Sequence, residues 1–400
     1  MLTYYNRTLS KLFADLQLVR AKPLESQGTC LEIQETLIQK ITYMERKIQK
    51  FKAQVREYTG FLKTKHSTPL TKDEAKLLKS EIEYSQYLID EYQNLQQIFR
   101  SIGDGLAFIY LDTWDIKPMA FKQSAGALSG KKGARLERKV LRKIIKSGKI
   151  AILNDLTNCL RHGDITVIED SLPQIFEVKS SKARNDRTKR QIENIEKVLE
   201  YLYTDSAEGL YGSKLKIQRT AGHSKAKYHA DELNKVIDEA LVKGHSWLKI
   251  EDGLYYFADL APGSSKISEV IAKCVAPPIV CFLNMDKYAH RAYIPLALSI
   301  KNSKALLKFY AGELMLLVFI DPSVMVEHLN SKGFALEFDK EGDYALTVRS
   351  LSESEDKSGI LNISHHMFSR ISYEFLSLKW FLNDIVYRFP KLRTLAEDAT

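Results

Sequence analysis

Cysteine is scarce in this 400-residue chain: Cys30, Cys159, Cys274 and Cys281 lie far apart, and none makes a CxxC pair or stands beside a histidine at zinc-ligand spacing. That excludes a disulfide framework and a Cys-based zinc module, and leaves free thiols in a reducing compartment as the expectation. Long apolar runs are also missing. The longest, Leu314 to Ile320 and Val275 to Leu283, fall well short of the roughly 20 residues that span a bilayer. Met1 to Arg7 lacks the apolar core of a secretory signal, so the expected compartment is the cytoplasm. No GxxxxGK[ST] loop occurs, which argues against a nucleotide-driven motor. The one histidine pair, His365-His366, places neighbouring side chains about 100° apart on a helix and is a poor shared metal site.

What is present is a globular composition, 44% hydrophobic, with a net charge of +9. The charge is localised. Between Asp115 and Ile150 eleven Lys or Arg face two acids, an excess as large as that of the whole chain. Such a cluster suits a polyanion, because displacing condensed counterions from a phosphate backbone favours basic groups. The plain alternative is a solvated helix face.

The first hundred residues read as helical. Leu37, Ile41, Met44, Ile48, Phe51, Val55, Tyr58 and Leu62 alternate four and three apart, as in the seam of a coiled coil. After a break at Lys65 to Leu70, Thr71 and Glu74 form a capping-box pattern, and Leu78, Ile82, Leu88, Tyr92, Leu95 and Phe99 give a second stripe. A helical hairpin over residues 29–100 follows, either an oligomerisation or docking arm or a plain helical domain. Gly103-Asp104-Gly105 is expected to end it, with Leu106 to Tyr110 as a buried strand leading to a linker at Pro118. The domain reading is 1–102 helical, 103–220 a catalytic core and 221–400 a C-terminal α/β region that either continues the core's sheet or stands alone.

Within the core, Ala134 to Ser147 forms an amphipathic helix whose only acid is Glu137. Strands are expected at Ile150–Leu153, Ile165–Ile168 and Ile175–Lys179, then a helix from Asp186 to Tyr203 and a strand from Leu215 to Arg219. Farther on, Asp252-Gly253 between apolar arms predicts a hairpin, Leu314–Ile320 a central strand and Met367–Phe389 a long closing helix. Glu-x-Lys is a common tripeptide, but Glu177-Val178-Lys179 follows an apolar strand whose alternation puts both charged side chains on one face. Asp164 opens the preceding strand, so a turn at Glu169 to Pro173 would bring it beside Glu177. Two such carboxylates would hold Mg2+ or Mn2+. The ion would activate a water and polarise a phosphodiester, with Lys179 orienting the attacking water and stabilising developing charge.

In this pattern the segment 131–220 resembles the PD-(D/E)xK nuclease superfamily, the restriction-endonuclease-like fold. Asp164, Glu177 and Lys179 match its motif. Glu137 matches a helical acid that many members direct toward the metal, and Gln191 a polar position that supports the lysine. His162-Gly163 stands where the motif has proline. The resemblance implies an α/β (α+β) mixed sheet flanked by helices, metal-dependent hydrolysis leaving a 5′-phosphate and, by fold-level association, prokaryotic defence against phage or plasmids. Lys131, Lys132, Arg135, Lys182, Arg184, Arg187 and Arg190 would contact the backbone of nucleic acid, DNA favoured over RNA. The expected partners are therefore nucleic acid, a second copy through the hairpin and a trigger or partner protein at the C-terminal region, with no membrane. The rival reading is a non-catalytic nucleic-acid-binding assembly protein.

Overall fold

The computed structural model describes residues 1–63, 70–120, 126–131, 133–169, 172–179, 186–210, 216–260, 266–288, 292–339, 342–351 and 359–397. The chain is α+β, with several small antiparallel sheets. It divides into two compact units, Met1–Gln218 with Tyr288–Ala297, and Arg219–Lys287 with Leu298–Thr400. Among the described residues no helix is long and apolar enough to cross a membrane.

The first unit opens with three helices, α1 (Leu2–Ala21), α2 (Gln27–Lys63) and α3 (Lys72–Tyr110). The seam of α2 is buried at Leu37, Ile41, Met44 and Ile48, each contributing about 1.5–3 kcal/mol of apolar burial, and becomes half-exposed from Phe51 onward. The capping box at the start of α3 forms in both directions: the Thr71 amide donates to Glu74 Oε2 at 2.8 Å, and the Glu74 amide to Thr71 Oγ1 at 3.2 Å.

The helix does not stop at Gly103-Asp104-Gly105, and the strand expected at Leu106 to Tyr110 is its last part. These glycines serve close approach. A Cβ on Gly103 would lie 2.2 Å from the Leu156 carbonyl oxygen, and one on Gly105 2.7 Å from the Leu16 side chain. Asp104 accepts from the amides of Asn158 at 2.6 Å and Cys159 at 2.9 Å, tying α3 to the loop after the first strand. Pro118 lies inside a short helix, α4 (Thr113–Ala120), where a linker was expected.

Next come α5 (Ala134–Lys146), β1 (Ile150–Leu153), β2 (Ile165–Glu169), β3 (Leu172–Phe176), α6 (Asp186–Thr204), β4 (Ser206–Glu208) and β5 (Lys216–Gln218). The order helix, three strands, helix, strand is as expected except for β4, a short strand that precedes the expected one. The sheet differs from the mixed one that the resemblance implies: β1, β2 and β3 form an antiparallel three-stranded sheet, and β4 pairs with β5. One reason is on α2. The buried Gln34 side chain donates to the Ala151 carbonyl and accepts from the Leu153 amide, both at 2.9 Å, so it occupies the outer edge of β1 as a further strand would.

The second unit has its own sheets. It contains α7 (Ala230–Lys243), β6 (His245–Glu251), β7 (Leu254–Asp259), α8 (Ile267–Ile271) and β8 (Ile279–Phe282). After α9 (Leu296–Ser299), where the chain passes from the first unit to the second, follow α10 (Ser303–Ala311), β9 (Met315–Ile320) and α11 (Pro322–Asn330). The rest is β10 (Phe334–Phe338), β11 (Tyr344–Ser350), β12 (Ile360–Ser364), α12 (His365–Tyr373) and α13 (Leu378–Glu397). The Asp252-Gly253 hairpin forms with Gly253 at φ +73°, and β9 is interior in the order β6-β7-β9-β8 and wholly buried. The single closing helix is instead two, because Phe375 adopts φ +60° and the chain pairs back there, with the His229 amide donating to the Phe375 carbonyl at 2.8 Å. All four cysteines are free, and His365 Nε2 meets the Gly342 carbonyl at 3.1 Å.

Candidate functional site

Strand register brings the site together at one end of the first unit's sheet. Ile165 pairs with Leu153 on β1 and with Phe176 on β3, so Asp164, one residue earlier, stands between Asn154 and Glu177. The Asp164 amide donates to the Phe176 carbonyl at 2.8 Å, and its carbonyl accepts from the Asn154 amide at 2.9 Å. Gly163 makes this entry possible: it sits at φ +69°, and a Cβ there would lie 2.6 Å from Ile175 Cγ2.

The Asp164 carboxylate holds two groups. Oδ2 accepts from the Val178 amide at 2.9 Å, and Oδ1 from Lys131 Nζ at 2.8 Å. The first bond ends the ladder, since a side chain takes the N–H that a further backbone bond would use. Glu177 and Lys179 therefore lie just past β3, outside any regular element, rather than on the expected strand Ile175–Lys179. Their side chains pair with each other, Lys179 Nζ to Glu177 Oε1 at 2.6 Å. Lys179 is exposed.

Glu137 enters from α5. It lies four residues before Leu141 and eight before Ile145, on the buried face of an otherwise basic helix, and is itself only 2% exposed. The strip opposite carries exposed Arg135, Lys139, Arg142, Lys143 and Lys146. Burial pushes the Glu137 carboxyl above its ordinary range, the neighbouring Asp164 and Asp155 charges add to that, and Lys131 opposes it.

Lys131, expected to touch a nucleic-acid backbone, sits instead among three carboxylates. Its ammonium is 2.8 Å from Asp155 Oδ2, 2.8 Å from Asp164 Oδ1 and 3.0 Å from Glu137 Oε2. Burial alone would lower the Lys131 pKa, but the bonds to Asp155 and Asp164, with the Asp155 charge and Glu137, outweigh it and the net direction is up. Asp155 had no place in the sequence reading. It lies in a short 3₁₀ turn, Asn154–Leu156, directly after β1, and a Cβ on Gly126 would come within 2.4 Å of its Oδ1. The signal was an Asp two residues past an apolar strand on the same sheet end as Asp164, and only register turns that into proximity.

Of the remaining candidates, Gln191 is half-buried on the first half of α6, Arg190 is exposed beside it and Arg187 lies in the first turn of that helix. Lys132, Lys182 and Arg184 lie outside the described residues. The residues brought together are thus Asp164 with Glu137, Asp155 and Lys131, while Glu177 pairs with Lys179 one residue to either side of the Val178 clamp. Three carboxylates stand 2.8–3.0 Å from one ammonium. The chain matches no protein-family model, no curated protein and no solved structure.

Proposed function

We propose that this protein is a metal-dependent nuclease that hydrolyses phosphodiester bonds of nucleic acid, DNA favoured, with a PD-(D/E)xK-like site at the end of the β1-β2-β3 sheet. The observation that carries the reading is the convergence of Glu137, Asp155 and Asp164 on one cation, with the Glu177–Lys179 pair directly beside the Asp164 clamp. These three carboxylates would hold Mg2+ or Mn2+, which when bound supplies Lewis-acid polarisation and a more acidic water. The chain's own contributions are electrostatic and positional. Exposed Lys179 orients the attacking water and stabilises charge on the phosphate, and Glu177 fixes the ammonium's position. The exposed basic strip of α5 holds the phosphate backbone without reading sequence. The half-exposed end of the α2–α3 hairpin, with Phe61, Leu77, Tyr84 and Tyr87 at the surface, suits contact with a second copy.

One observation favours a second reading, a nucleic-acid-binding protein without catalysis: the Lys131 ammonium already occupies the centre that the three carboxylates surround. The two readings separate in a cleavage assay on plasmid, single-stranded DNA and RNA with Mg2+, Mn2+ or EDTA, comparing wild type with Asp164→Ala and Lys179→Ala. The nuclease reading expects metal-dependent cutting that falls about a hundredfold or more in either variant while binding persists. Binding without cutting on every substrate and metal would replace it with the second reading, and cutting that survives both substitutions would locate the activity elsewhere.

A further inference from the structure

The position of Lys131 has a consequence for how the site loads. An ammonium offers three N–H donors. Asp155 and Asp164 take hydrogen bonds from it, whereas Glu137 Oε2 stands at ion-pair distance, 3.0 Å, without hydrogen-bond geometry. That oxygen, on a side chain 2% exposed, makes no hydrogen bond, so a buried carboxylate oxygen aims into the cluster with the Lys131 ion pair as its contact. Among the described residues no three side chains already form a ligand set; these carboxylates share an ammonium instead.

We propose that Lys131 is a built-in competitor for the divalent cation, and that Asp155 is the third carboxylate of the metal site it guards. The identity of the cation rests on the nuclease reading; the competition does not. One ammonium leaves two of three carboxylate charges uncompensated, and a divalent ion leaves one. Metal–oxygen bonds near roughly 2.1 Å are much shorter than the 2.8–3.0 Å spacing here, so ion and ammonium cannot occupy the centre together. Three of the four groups are fixed. Glu137 is anchored on the buried face of α5, Asp164 by the Val178 amide, and Asp155 by its place in the short turn that follows β1. Lys131 has a flexible four-carbon stem and a side chain 28% exposed, so it has a way out to solvent. Substitutions at Lys131 should accordingly strengthen metal binding, the opposite of what a metal-supporting or purely structural lysine would show.

The test is Mn2+ titration of the full chain, with free Mn2+ followed by electron paramagnetic resonance, for wild type, Lys131→Met, Lys131→Gln, Asp155→Asn and the double variant Lys131→Met/Asp155→Asn. Circular dichroism and melting in the presence and absence of Mn2+ establish that each is folded, and the two neutral replacements at 131 guard against the failure of one. Both should bind Mn2+ about tenfold tighter than wild type or more, and Asp155→Asn should remove the gain. Equal or weaker binding by Lys131→Met and Lys131→Gln would overturn the competition, and a gain that survives Asp155→Asn would overturn the ligand assignment. The outcome is separable from the nuclease reading. Metal-dependent cutting with no change in Mn2+ affinity at position 131 keeps the enzyme and discards the competitor. Tighter binding through Asp155 without cutting of any substrate does the reverse.

Discussion

Replacing Asp164 by alanine should loosen the chain just beyond β3 as well as remove a carboxylate from the site. Two bonds are lost. The Val178 amide, bonded at 2.9 Å in a part-buried position, is left without its acceptor, which costs about 1–3 kcal/mol. The Lys131 ammonium retains Asp155 and Glu137, so the second loss adds no more than about 1 kcal/mol. The sum is about 1–4 kcal/mol, and because it falls at the end of a strand it should appear as local opening. Amide exchange by mass spectrometry, read on the peptide carrying Phe176–Lys179, should then be about thirtyfold faster at 2 kcal/mol. Asp164→Asn retains a carbonyl oxygen for Val178 and should show a smaller effect. Since the same clamp positions Glu177 and Lys179, cleavage by Asp164→Ala/Lys179→Ala should be no weaker than by Asp164→Ala alone. Wild-type exchange in the Asp164→Ala peptide would refute the clamp, and fully additive losses of activity would refute the coupling.

Two further outcomes follow from buried polar groups. Gln34→Leu leaves the Ala151 carbonyl and Leu153 amide on β1 without their partner and should destabilise the first unit by about 2–4 kcal/mol, measured as a lowered melting transition; an unchanged melt would remove Gln34 from its role at the strand edge. In the second unit burial would raise the Glu251 pKa, but bonds from His229, the Lys379 amide and Ser377 outweigh it and bring the carboxyl down from 4.5 to about 2. A depressed carboxylate stabilises above its unfolded value and loses that stability as pH falls, here between 4.5 and about 2. After discounting for solvent screening the loss is about 1–2 kcal/mol, and Glu251→Gln should flatten this part of the stability profile. An identical acid limb in that variant would contradict the assignment.

Local spacing determined a good deal by itself. The four-three alternation from Leu37 to Ile48 made a helix with a buried seam, Thr71 and Glu74 capped the next one, Asp252-Gly253 turned a hairpin, and the four-residue spacing of Glu137, Leu141 and Ile145 put the one acid of α5 on its inner face. Each depends on geometry within a few residues, where helix and strand periods fix which side chains share a face. Tertiary structure decided what those faces meet. Gly103 and Gly105 read as a helix stop until Leu156 and Leu16 are seen against them, and an edge at β1 is open until Gln34 of α2 occupies it. The site divides the same way. Asp164, Glu177 and Lys179 could be singled out from strand alternation, but Asp155 and Lys131 meet Asp164 only through the pairing of β1 with β2 and the course of the chain before α5, since distance between residues far apart in sequence is set by register and packing rather than by spacing along the chain.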